Sequence, residues 1–130
     1  MKSIFIISSM ILFLSGCYYD NQEELLPSSG PCDTSGTISY NSDIQLIIST
    51  SCGSQDPSCH NSSATQSGYP FDTYENLVLS IDLSGKFLQT ITHDPAIASS
   101  KWMPKGVSAK IDDCSIQKIR AWLNRGKPKT

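Results

Sequence analysis

Apolar residues in this 130-residue chain fall into one early run and several later clusters at helical spacing. The early run, residues 4 to 14, is almost unbroken but too short to span a bilayer. Ile44, Ile47 and Ile48 then share one helical face. Ser42 followed by Gln45 fits a capping box, so the pattern predicts a first helix from Asp43 to about Ser51. Gly53, Ser54, Asp56 and Pro57 are loop formers, and residues 61 to 68 are rich in Ser, Thr and Asn. Asp72 with Glu75 offers a second capping box, followed by Leu77, Val78 and Ile81. A third short helix is expected over residues 86 to 92, with Ser84 near its start and Phe87, Leu88 and Ile91 inward; Asp94-Pro95 stops it. Residues 96 to 110 read as a loop. The last helix is the clearest: Asp112 or Asp113 caps it, and Ile116, Ile119, Trp122 and Leu123 form its stripe. Arg120 and Arg125 sit toward its negative end, and Gly126 suits its C-cap. No segment alternates as a half-buried strand would, so the expected class is all-α with long loops. Such loops usually count against an assignment, but a fold wrapped around a flat cofactor would show them.

The compartment follows from the first 31 residues. Lys2 and the apolar run read as a secretory signal over residues 1–16. The run ends in Leu14-Ser15-Gly16-Cys17, which resembles the lipobox of bacterial lipoproteins. That resemblance implies cleavage before Cys17 and lipid on its sulfur, enough for stable membrane anchoring. Tyr18, rather than Asp, after the lipid cysteine points to the outer membrane, facing periplasm or surface. Residues 17–31, acidic at first and broken by Pro27, Gly30 and Pro31, read as a flexible tether, leaving residues 32–130 for one domain. Losing Lys2 leaves nine basic and twelve acidic side chains, a formal charge of −3. No basic stripe is present to grip phosphates, so nucleic acid is not an expected partner. A domain of this length buries only a modest core, which a haem or a disulfide would supplement.

The candidate chemistry centres on Cys59-His60. A Cys followed by His is the end of the c-type haem attachment motif: the thiol becomes a thioether and the imidazole an iron ligand. Cys52 is the candidate second thiol, although six residues separate it from Cys59, where the usual motif has two. Met103, followed by Pro104 and Gly106, is the candidate distal ligand, and His93 its rival. Tyr69 and Trp102 are candidate porphyrin contacts, and Lys101 and Lys105 candidate partners for its propionates. Export favours disulfides. With Cys17 on lipid and Cys52 and Cys59 on haem, Cys32 and Cys114 remain for one bridge. A Cys52–Cys59 disulfide without haem uses the five cysteines equally well, so both accounts stay open.

These pieces stand in a familiar order. Tyr40-Asn41-Ser42-Asp43-Ile44, Cys59-His60, Asp72-Thr73-Tyr74, Met103-Pro104-Lys105-Gly106, Asp113-Cys114 and Ala121-Trp122 together resemble the small class I cytochrome c domains of bacterial lipoproteins, across residues 32 to 128. The resemblance implies a cytochrome c-like bundle of short helices in which the first and last cross. It implies one covalent haem c, His60 as proximal and Met103 as distal ligand. The expected function is one-electron transfer to and from redox partners of the cell envelope, without catalytic turnover. A peroxidase-like enzyme would need an open iron face. The alternative is a haem-free, disulfide-stapled lipoprotein acting as a binding module, with the polar Cys52-to-Cys59 loop as its contact surface.

Overall fold

In the computed structural model, the first helix starts earlier than its periodicity suggests. The backbone enters through a π-helical turn, Tyr40–Ile44, and continues directly as α1, Gln45–Ser51. The cap is Ser39, whose hydroxyl accepts from Ser42 N, and Ser42 turns its own hydroxyl to Asp43. Burial decides the shift: Tyr40 and Ile44 are both in the core, so the chain must already be coiled at Tyr40. The described residues are 32–54, 59–63 and 68–130. The expected signal, the tether and the lipid site at Cys17 lie outside them.

The other helices are α2, Tyr74–Ser84; α3, Phe87–Ile91; and α4, Asp113–Asn124, with a 3-10 turn at Ser99–Lys101. Among the described residues there is no strand, and no helix is long and apolar enough to cross a membrane. Thr73, not Asp72, caps α2 by accepting from Asn76 N. Ser84 closes α2 instead of opening α3, its hydroxyl donating to Ile81 O. Gly85, at φ 59°, makes the left-handed exit that a side chain would strain.

Helix α4 follows its sequence pattern closely. Asp112 accepts from Ser115 N at 2.8 Å, satisfying one of the unpaired donors of the first turn. Ile116, Ile119 and Trp122 are buried at threefold spacing. The helix ends in a Schellman arrangement: Lys127 N donates to Trp122 O and Gly126 N to Leu123 O.

The core of Cys32–Thr130 gathers around Trp122, Ile44, Ile48, Leu77 and Ile119, all essentially without solvent contact. The π-helical turn packs on α4, and Lys118 pairs with Asp43 across that contact at 3.2 Å. The tail returns over it: Tyr40 N donates to Pro128 O, Asn41 N to Lys129 O, and Trp122 Nε1 to Pro128 O. Arg125 donates to the carbonyls of Gly36 and Thr34. Cys32 and Cys114 form a disulfide with a Cα–Cα distance of 5.3 Å, joining the start of the unit to the first turn of α4.

Candidate functional site

Cys52 caps the end of α1, its N–H on Ile48 O. Its side chain is packed against the core. Burial pushes the thiol up to about 12, and the nearby Cys59 adds to the shift. At neutral pH Cys52 is therefore a protonated, weakly nucleophilic thiol. Cys59 is exposed. Gly53 takes φ 62°, and Asn61 Nδ2 donates to Ser54 O at 2.9 Å.

His60 is held on three sides. Its carbonyl accepts from Phe71 N at 2.7 Å. Its ring lies flat on Phe71, with centroids 4.1 Å apart and planes 3° from parallel. Its Nδ1 is 2.8 Å from the Tyr69 carbonyl oxygen. A carbonyl only accepts, so Nδ1 carries the proton, and in the neutral ring Nε2 presents the lone pair. Metal-binding histidines are commonly oriented by such a bond from the other ring nitrogen. One step along, Asp72 accepts from Ser62 N and Asn76 Nδ2, which pulls its carboxyl down to about 2. Asp72 thus ties the His60 segment to the start of α2, a role its expected capping position did not indicate.

Met103 is anchored through its backbone. Its N–H donates to Thr90 O of α3 at 3.2 Å, and its carbonyl accepts from His93 Nε2 at 3.0 Å. His93 leaves α3 at φ 55° and stacks on Trp102, with centroids 4.9 Å apart and planes 6° from parallel. Trp102 Nε1 donates to Asp94 O. The Met103-Pro104 peptide is cis. Lys105 bonds the Ser100 carbonyl.

The two halves meet the same helix. His60 rests on Phe71, Phe71 meets Phe87 of α3 edge to face at 5.8 Å, and Met103 bonds Thr90 of α3. The contacts among the described residues do not join His60 to Met103 directly. No cluster of three or more His, Cys, Asp and Glu side chains forms a metal site among those residues. A surface depression of about 330 Å³, lined by Asn41, Gln45, Leu46 and Ser49, includes none of the candidate residues.

The donor chemistry fits haem through part of the expected set. An exposed Cys59, an imidazole with Nε2 presented, and a thioether at Met103 are the groups haem c requires. Cys52, folded against the core with a suppressed thiolate, fits a second thioether poorly. His93 spends Nε2 on Met103 O, which removes that nitrogen from ligand duty. Sequence reasoning missed the Tyr69 carbonyl and Phe71 as partners of His60. A backbone acceptor leaves no trace in residue type. No protein-family model, curated protein or solved structure matches the chain.

Proposed function

We propose that the chain is a membrane-anchored c-type cytochrome that passes single electrons between redox partners of the cell envelope. The observation that carries this reading is the 2.8 Å hydrogen bond from His60 Nδ1 to the Tyr69 carbonyl, immediately after the exposed Cys59. It selects the tautomer an iron ligand needs and holds the ring on Phe71. The helical architecture without strands among the described residues is compatible with a cytochrome c-like bundle. Cys59 would hold the haem covalently, His60 would ligate its iron, and Met103 would supply the opposite ligand. Bound there, haem supplies a one-electron iron couple, whose potential a soft thioether raises. Lipid on Cys17 would keep the domain at the membrane, on the outer-membrane side.

The test is expression of the full chain in cells that mature c-type haem. A haem stain and peptide masses of the denatured protein should show one haem on the Cys59 peptide. The reduced protein should show sharp visible bands. A colourless, correctly folded product defeats the proposal. The electrostatic influence of Cys59 on Cys52 leaves one second reading, the haem-free binding module. Its signature is a Cys52–Cys59 disulfide in place of the porphyrin.

A further inference from the structure

We propose that His93 is the positioning residue for Met103, setting where its sulfur stands without being an iron ligand itself; the ligand part of this inference rests on the cytochrome reading. From residue 95 to residue 110 no side chain is fully buried. Packing therefore holds this segment weakly, and polar ties must do what burial does elsewhere. Met103 carries two ties, one to α3 and one to its exit. Its N–H is on Thr90 O and its carbonyl on His93 Nε2, so both backbone groups flanking its Cα are fixed. His93 is itself fixed by a stack on Trp102, whose indole N–H is tied to Asp94 O. Its φ of 55° lies in the left-handed region. Histidine is among the few residues enriched there. Because a carbonyl accepts, His93 Nε2 must bear the proton. The residue expected as a rival to Met103 thus becomes its brace.

Three variants of the full chain separate the donor from the stack. His93→Phe keeps the ring and deletes the donor. His93→Asn suits the positive φ but falls short of Met103 O. His93→Gln keeps an N–H at similar reach and loses the ring. Amide exchange of Met103 is read first in haem-free protein. Protection should fall by about tenfold in the Phe and Asn variants, one hydrogen bond's worth, and stay near wild type in the Gln variant. In haem-loaded protein, added imidazole competes for the distal position. Its apparent affinity should rise by about tenfold in the same two variants. Unchanged exchange and unchanged imidazole binding in both overturn the proposal. Loss of protection, combined with a wild-type ferric spectrum lacking the weak red-edge band of iron–thioether bonding, leaves the brace standing and removes Met103 as a ligand.

Discussion

Each of the two histidines lies flat on an aromatic ring and gives a ring proton to a backbone carbonyl. His60 sits on Phe71 with Nδ1 on Tyr69 O; His93 sits on Trp102 with Nε2 on Met103 O. The difference is which nitrogen is spent. His60 uses the nitrogen nearer its own backbone and presents the outer one. His93 uses the outer one. On the cytochrome reading proposed above, the two similar settings would serve opposite uses: His60 keeps its outer nitrogen for iron, and His93 spends its outer nitrogen on Met103. What separates the two rings is which nitrogen donates, and residue type and neighbours in sequence do not reveal that.

Deleting each imidazole is the strongest attack on this contrast. In haem-maturing cells, His60→Ala should lose the low-spin spectrum entirely, whereas His93→Ala should keep covalent haem and His60-bound iron. Absorption spectra of both oxidation states decide it, and a reversed result exchanges the two roles. Next in size is the framework beneath both regions. The Cys32–Cys114 bridge joins residues 82 apart. Replacing both with Ser should cost about 2–4 kcal/mol in urea unfolding, mainly by freeing the unfolded chain. If His60 and His93 depend only on local ties, their resonances should stay in place below the unfolding transition.

How far the sequence predicts this molecule depends on whether a feature is local. Helix α4 was legible because its cap, its stripe and its terminal glycine lie within one short stretch, and Ile116, Ile119 and Trp122 are buried as their spacing requires. The start of the first helix was misplaced because two serines compete to cap it. Ser39 wins, since burial of Ile38 and Tyr40 draws the backbone inward before Ser42. Asp72 was expected as a cap, but its carboxylate reaches across ten residues to Ser62 N. The expected donors of the candidate site, Cys59, His60 and Met103, were read from residue type and order alone. The site was illegible in its orientation, because the groups that aim both histidines are main-chain carbonyls, and every residue has one.

Cysteine chemistry sharpens the contrast on the His60 side, where the two thiols differ in setting. With its thiol raised to about 12 by burial, Cys52 favours the protonated form in the folded state. The sign follows: stability linked to Cys52 is complete below the unfolded thiol range, near 9, and is lost as pH rises toward about 12. Native Cys52→Ala protein should therefore lose less stability than wild type between these limits. In haem-free wild-type protein, iodoacetamide should modify Cys59 and spare Cys52 until the chain is denatured, as peptide mass mapping would show. Rapid native alkylation of Cys52 would mean that its thiol is open enough to serve as a second haem attachment.

The smallest effect concerns the acids that stand beside each histidine. The Asp94 carboxylate accepts locally, from Ala96 N two residues away. Asp72 instead bridges the His60 segment and α2, and its hydrogen bonds from Ser62 and Asn76 hold its carboxyl at about 2. A depressed carboxyl contributes stability that is present above its unfolded value, about 4, and disappears as pH falls through about 2. The side chain is partly solvated, so water screens much of this contribution. Asp72→Asn should flatten the acid limb of the stability curve only slightly. The more telling readout is local: between pH 4 and pH 2, exchange at the Ser62 amide should quicken in wild type before the Met103 amide changes. Simultaneous loss at both amides would mean that the two histidine regions open as one cooperative unit, coupled through the α3 helix that both contact.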